Sequence, residues 1–279
     1  MSNFYGLIGK RLIHSFSGVI HHLILKKIGK NGEYNLFEVE EKNLNRSVEA
    51  LKILGCRGAN VTIPYKVGII KYMDEISEEA ENIGAVNTIE FTRNKLTGYN
   101  TDYYGFGLTL KRYDIDVLNK DVILLGTGGA SKAVASYILD KGAKSIIYVS
   151  RNPHKLCSDK FKIISYEELH KIKGGDIIIN CTPCGMYPNV DNCPVDEGII
   201  SKFNTAVDLI YNPQNTLFLK LGNKLGLNTV NGLYMLVAQA VASQEIWQKR
   251  KIPLKIVDEI YDELLNTYKN FNLMHEDIV

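Results

Sequence analysis

The sequence has no excess of either charge: its 279 residues carry 33 Lys and Arg against 31 Asp and Glu. That near-balance removes the electrostatic argument for a nucleic acid or an anionic membrane as partner. Long hydrophobic runs are missing too. The most apolar stretch, LYMLVAQAVA over 233–242, is too short to span a bilayer and is interrupted by Gln239. The opening MSNFYGLIGK lacks a basic region followed by an apolar core, so no secretory signal is read there and a cytoplasmic protein is expected. Cysteines number only five, an odd count without an export signal, so reduced thiols are expected. Cys181, Cys184 and Cys193 lie close in sequence. Their C-x2-C-x8-C spacing brings no fourth ligand, however, and Pro183 and Gly185 suit a tight loop, so no metal is expected. Repeats and low-complexity segments are absent. What remains, 45% hydrophobic and 23% charged residues, is the composition of a soluble globular chain long enough to bury a large core.

What the sequence does contain is an alternation of β-rich runs and helical stretches. NFYGLIG (3–9) reads as a strand, 18–29 as a helix ending at Gly29, and YNLFEV (34–39) as a strand. NLNRSVEALKILG (43–55) is a helix closed by Gly55, a residue type that tolerates the left-handed C-terminal conformation. ANVTI (59–63) is a strand stopped at Pro64, AVNTIEF and LTGYN form two strands around a polar turn, and a helix follows Asp102. A second series begins at Lys120, with strands DVILLG, SIIYVS, DIIIN and AVDLIY and a helix over 131–142. The last third turns helical, over 232–250 and again after Pro253. Strands alternating with helices predict a two-domain α/β protein with mostly parallel sheets. The first α/β domain spans 1–102, a Rossmann-type dinucleotide-binding domain spans 103–235, and the helices of 236–279 return to the first.

VILLGTGGASKAV places strand, glycine turn and helix in order. Gly126, Gly128 and Gly129 fit the dinucleotide fingerprint, with Ala130 beside them and the small Ser131 at the third-glycine position. Glycine lets the backbone turn sharply and approach a pyrophosphate, while the free N–H groups of the helix start bind the anion. Arg151 falls 25 residues after Gly126, near the position that reads the ribose. An NAD enzyme would place a carboxylate there. This chain offers Ser150, Arg151 and Asn152, with Lys155 nearby, and an arginine pairs with a 2′-phosphate, so NADP is the expected cofactor.

Further polar clusters fall at strand ends and turns. GANVTIPYK brings Asn60, Thr62 and Lys66 around the end of an apolar strand, with Pro64 fixing the turn. Lys66 as a plain surface lysine at a helix start fits poorly, because a cation there opposes the helix dipole. HSFS supplies Ser15 and Ser17 before a helix, where two hydroxyls can donate to a carboxylate. GAVNT presents Asn87, GYNTD presents Asp102, and Gln239 sits on an apolar helix where its amide needs a partner.

GANVTIPYK, GAVNT, GYNTD, GTGGAS, NCTPCGM, DLIYNPQNT and NGLYMLVAQAVAS occur in the order and approximate spacing of the shikimate dehydrogenases, and the chain resembles that family from Tyr5 to Trp247. The resemblance implies reversible NADPH-dependent reduction of 3-dehydroshikimate to shikimate, on the route to chorismate and the aromatic amino acids. It implies Lys66 and Asp102 as the catalytic pair, and Ser15 and Ser17, with Tyr211, as holders of the substrate carboxylate. It further implies Thr62, Asn87 and Gln239 as partners of the ring hydroxyls, Asn60 in support and Gly232 at the cofactor. A monomer or homodimer acting on small molecules is expected. Members usually read P-hydrophobic-x-H-S-x-S-P-x-x-H-N near the start. Here Arg11 and Gly18 replace the prolines, which loosens the carboxylate site, and His22 replaces the asparagine and is expected to pack. Within the family, Ser17 and Arg151 favour shikimate and NADP over quinate and NAD. Intact Lys66 and Asp102 speak against an inactive nucleotide-binding regulator.

Overall fold

The computed structural model describes residues 3–13, 15–155 and 160–276; of these, the side chains of Lys155 and of 267–276 lie outside the description. The chain divides into two compact units. One comprises Met1–Glu81, Val86–Gly105 and Val237–Val279; the other comprises Asn82–Ala85 and Phe106–Leu236.

The first unit begins with β1 (Phe4–Gly9), α1 (Ser17–Lys27), β2 (Glu33–Glu38), α2 (Leu44–Ile53) and β3 (Gly58–Val61). There follow β4 (Glu75–Ile76), α3 (Glu78–Ile83) up to Glu81, β5 (Thr88–Phe91), β6 (Leu96–Tyr99) and the start of α4 (Asp102–Arg112). Leu44, Val48 and Leu51 recur at helical spacing on α2 and are its buried residues, the stripe an amphipathic helix needs. The sheet runs β2-β1-β3-β5-β6-β4. Strands β2, β1 and β3 are parallel, whereas β5 is antiparallel to both β3 and β6. That reversal has a consequence for chemistry. It carries the start of β5 to the edge at which β1, β3 and β6 end, because Asn60 pairs with Thr88 and Thr88 with Tyr99.

The second unit holds β7 (Asp121–Leu125), α5 (Gly129–Asp140), β8 (Ser145–Val149), β9 (Lys162–Ile164), α6 (Tyr166–Leu169) and β10 (Ile177–Asn180). It continues with α7 (Glu197–Ile200), β11 (Thr205–Asp208), α8 (Leu217–Lys224) and β12 (Asn228–Val230). Its six strands are all parallel in the order β12-β11-β10-β7-β8-β9. Both faces are covered, and the strand period sorts the side chains. Val122, Leu124, Ile177 and Ile179 enter one core; Ile123, Leu125 and Ile178 enter the other.

Helix α9 (Leu233–Gln248) crosses from the second unit into the first, and α10 (Leu254–Glu276) ends the description. In the first unit Trp247 of α9 stacks on Tyr5 with ring centroids 5.0 Å apart and donates to the Ile89 carbonyl. No helix among the described residues is long and apolar enough to cross a membrane. The elements β4, β9, β12, α3, α6, α7 and α8 are additions to those expected from the sequence. The second series is longer than its sequence pattern shows, since two short outer strands, β9 and β12, extend its sheet.

Candidate active site

Lys66 and Asp102 meet directly. Nζ lies 2.6 Å from Asp102 Oδ2, and the two side chains are 14% and 7% exposed. Asp102 opens α4, where a carboxylate is favoured by the N–H groups of the first turn. Lys66 is not at a helix start. It lies in the run of turns over 63–69, so the dipole argument does not apply to it. Its position is set instead by backbone bonds. Its carbonyl accepts from the Val86 N–H at 2.8 Å, and within the same turns the Ile69 N–H donates to the Tyr65 carbonyl at 2.9 Å.

Asn87 sits beside the pair, 2% exposed, and donates from Nδ2 to Asp102 Oδ1 at 2.9 Å. Its orientation follows from chemistry. A carboxylate only accepts and the Thr101 N–H only donates, so Nδ2 must face Asp102 and Oδ1 must accept from Thr101 N at 2.7 Å. Gln239 Oε1 on α9 lies 3.5 Å from both Asn87 Nδ2 and Thr101 Oγ1. Asn60 is fixed in the same way. Its Nδ2 faces the Asn87 carbonyl at 3.3 Å, and its Oδ1 accepts from the Tyr34 hydroxyl at 2.9 Å.

Ser15 and Ser17 also come together, with hydroxyls 3.1 Å apart, and Ser15 Oγ accepts from the Ser17 N–H. Helix α1 has Phe16 at its N-cap and therefore no side-chain cap, which leaves this end to the two serines. The Tyr34 hydroxyl faces Ser17, and burial pushes its ionisation well above the ordinary range, so it stays a neutral donor. Thr62 follows β3, with its N–H on the Ile8 carbonyl at 2.9 Å. Ser15, Ser17, Thr62, Lys66, Asn87, Asp102 and Gln239 thus share one unit, whereas Tyr211 belongs to the other.

Of the two adjacent histidines it is His21 that packs. His22 is exposed, against expectation, because Ile20, His21, Ile24 and Leu25 form the buried face of α1. His21 stacks on Tyr34 at 4.0 Å and its Nδ1 lies 3.0 Å from Gln244 Nε2. Burial drops its pKa to about 3, so the ring is neutral, with the proton on Nε2 since Nδ1 accepts from the amide.

In the second unit the glycine turn joins β7 to α5 where the strand order reverses, between β10 and β7. Gly126 has φ +97°, and a Cβ there would lie 2.8 Å from Thr182 Cγ2, so both backbone and space demand glycine. Gly128 is the N-cap of α5, and an added Cβ would meet nothing within 4 Å. Open space in front of an uncapped twelve-residue helix, continued by Gly129 and Ala130, fits a pyrophosphate. Ser150 is buried at the end of β8 and accepts from the Asn152 N–H, while Arg151 and Asn152 are exposed. The side chain of Lys155 lies outside the described residues. At Gly232 a Cβ would collide with the Leu209 carbonyl oxygen, so that glycine already has a packing reason.

Next to the glycine turn lies a buried polar set that sequence reasoning missed. Asn180 ends β10 and Asp208 ends β11, paired in register and both 0% exposed. Asn180 Nδ2 donates to Asp208 Oδ1 at 3.0 Å, and its Oδ1 accepts from Thr182 N–H and O–H. Asp208 also accepts from the Ile210 N–H and from Thr216 Oγ1 at 2.7 Å. Burial nonetheless pushes its pKa up to about 7. Cys181 and Cys193 are likewise raised by burial, Cys193 to about 11, so both are thiols rather than thiolates. Thr88, Thr101 and Ser243 escaped as well. Ser243 could have been found, since it stands one helical turn after Gln239 and so shares its face.

Known proteins point the same way. The profile of the shikimate dehydrogenase substrate binding domain matches residues 7–89. A protein of Clostridium beijerinckii named shikimate dehydrogenase (NADP(+)) is 48% identical over 95% of this chain and 99% of its own length. The crystal structure of a chorismate mutase/shikimate 5-dehydrogenase fusion protein from Clostridium acetobutylicum superposes with a TM-score of 0.92 at 51% identity, covering 96% of this chain and 99% of that one. The Thermus thermophilus shikimate 5-dehydrogenase, solved with NADP(H) and shikimate, superposes with a TM-score of 0.82 at 26% identity, covering 94% and 99%. By sequence across nearly its whole length and by fold, this chain belongs to the shikimate dehydrogenase family.

Proposed function

We propose that this chain is an NADP-dependent shikimate dehydrogenase, a cytoplasmic oxidoreductase acting on small molecules. It interconverts 3-dehydroshikimate plus NADPH with shikimate plus NADP, within the synthesis of chorismate and the aromatic amino acids. The observation that carries the reading is the buried Lys66–Asp102 pair at 2.6 Å in a chain of this family. Catalysis is assigned to the first unit and cofactor binding to the second.

NADPH supplies the hydride. The residues of the chain supply the proton and hold the substrate. In the reducing direction the carbonyl oxygen of the substrate gains a proton as the hydride arrives, and Lys66 gives it from its ammonium. In the oxidising direction the neutral amine takes the hydroxyl proton. A group positioned for this is worth roughly 10² to 10⁴ in rate. Asp102 balances the ammonium and accepts from the substrate hydroxyl. Asn87 and Gln239, with Thr62, hydrogen-bond the ring hydroxyls. Ser15 and Ser17 present hydroxyls to the substrate carboxylate at the uncapped start of α1, where the helix also favours an anion. Tyr211 is the further contact to the substrate that the family resemblance implies. Gly126, Gly128, Gly129 and Ala130 hold the pyrophosphate, Gly232 borders the cofactor, and Ser150, Arg151, Asn152 and Lys155 read the 2′-phosphate.

The test is reduction of NADP and of NAD by the purified protein, with shikimate and quinate in parallel. Turnover with shikimate and NADP supports the reading. Preference for quinate and NAD overturns the substrate and cofactor assignments, and absence of turnover with every pair overturns the enzyme.

A further inference from the structure

Three hydroxyls meet inside the first unit, and none of them can touch a substrate. Thr88, Thr101 and Ser243 are each 0% exposed. Their oxygens form a triangle with sides of 3.1 Å (Thr88–Thr101), 2.9 Å (Thr88–Ser243) and 3.1 Å (Thr101–Ser243). Each hydroxyl has one proton to give, so the direction of the bonds is set by the fixed donors and acceptors around the triangle. Ser243 gives its proton to the Gln239 carbonyl at 3.0 Å. Asn60 Nδ2 donates into the triangle, to Ser243 at 2.8 Å and Thr88 at 3.0 Å. With those acceptors filled, the proton of Thr88 turns to Asn87 Oδ1 at 3.0 Å, while Thr101 Oγ1 accepts from Asn87 Nδ2 at 3.0 Å and lies 3.2 Å from Asn87 Oδ1. That leaves the NH2 end of Asn87 toward Asp102, whose other oxygen holds Lys66. A flipped Asn87 would set a carbonyl oxygen against the carboxylate.

We propose that the Thr88–Thr101–Ser243 cluster is a positioning element of the reaction, locking the Asn87 carboxamide and through it the carboxylate that holds Lys66. The proposal rests on Lys66 and Asp102 as the acid–base pair. It explains why a serine from α9 is buried among residues more than 140 positions away in sequence.

The test is a double-mutant cycle in the full chain between Ser243→Ala and Asn87→Ala, read by steady-state kinetics with shikimate and NADP. Acting through Asn87, Ser243→Ala lowers kcat about tenfold, leaves KM for NADP unchanged, and loses its effect in the Asn87→Ala background. Thr88→Val gives the same loss and Thr88→Ser, which keeps the hydroxyl, restores the rate. An equal loss in both backgrounds, or an unchanged kcat in Ser243→Ala, overturns the proposal. If the wild type does not turn over shikimate, the functional reading fails by itself. The side-chain amide resonances of Asn87 then decide the positioning: a changed shift and faster hydrogen exchange in Ser243→Ala sustain it, and an unchanged signal overturns it.

Discussion

Asp208→Asn should remove a pH dependence from the stability of the protein. Asp208 is fully buried, and three donors reach it, yet burial outweighs them and lifts its pKa from 3.8 to about 7. A carboxyl raised in the folded state binds more protons there than in the unfolded chain over the window between those two values. Its stabilising contribution is therefore complete below pH 3.8 and is lost as pH rises toward and through 7. Between pH 5 and pH 7 the interval is two pH units, worth about 3 kcal/mol at 1.36 kcal/mol per unit. The asparagine is a fair mimic of the protonated acid. Oδ1 faces two N–H donors and must remain an acceptor, whereas Oδ2 faces the Thr216 hydroxyl, which can reverse and accept from an NH2. Urea unfolding followed by circular dichroism at pH 5 and pH 8 should show wild type losing about 3 kcal/mol relative to Asp208→Asn as pH rises. Equal differences at the two pH values would refute the reasoning, because they would mean that Asp208 does not titrate between them.

Removal of the amine in Lys66→Ala should lower kcat by more than about a hundredfold with little change in KM, as loss of acid–base catalysis requires. A loss confined to KM would make Lys66 a binding residue. Arg151→Ala should raise KM for NADPH about tenfold or more while leaving KM for NADH unchanged, since a charge-assisted bond to a 2′-phosphate is worth about 1.5–3 kcal/mol. Equal effects on both cofactors would show that Arg151 does not read the 2′-phosphate.

The second unit is the more legible from sequence. Its central strands are buried on both faces, so Ile, Leu and Val run continuously through DVILL and IIIN, bounded by turn residues. The strands that escape notice are short and lie at sheet edges. β4 has two residues and β9 and β12 have three, too few for a period-2 pattern to show. Lys66, Asp102, Asn87 and Gln239 can be named from the sequence, but largely through ordered motifs rather than through a physical signal. Physical signals taken alone mislead at two places. Pro64 is read as the end of a strand that runs to Ile63, but β3 already ends at Val61 and the residues over 63–69 form a run of turns. The packing expected of His22 belongs to His21, because one residue's shift of phase on a helix turns a side chain about 100°.

The buried polar residues explain why a unit assembled from three separate segments needs the last of them. The carboxylate of Asp102 could be held by Lys66 alone, but a lone ion pair fixes a distance and not an orientation. Orientation comes from Asn87. The amide of Asn87 is itself bonded by hydroxyls of β5 and of the residue before α4, and both of these are bonded in turn by Ser243 of α9. None of these groups is apolar, so none is placed by hydrophobic burial; each would be costly in the interior without the others. Burial of the set is supported by apolar contacts beside it, the stack of Trp247 on Tyr5 and the Trp247 bond to the Ile89 carbonyl on β5. Contacts spanning this much of the chain form only after the intervening residues are made, so a long loop must close before they are rewarded. The candidate catalytic pair lies 36 residues apart in sequence, but its alignment depends on the far end of the chain.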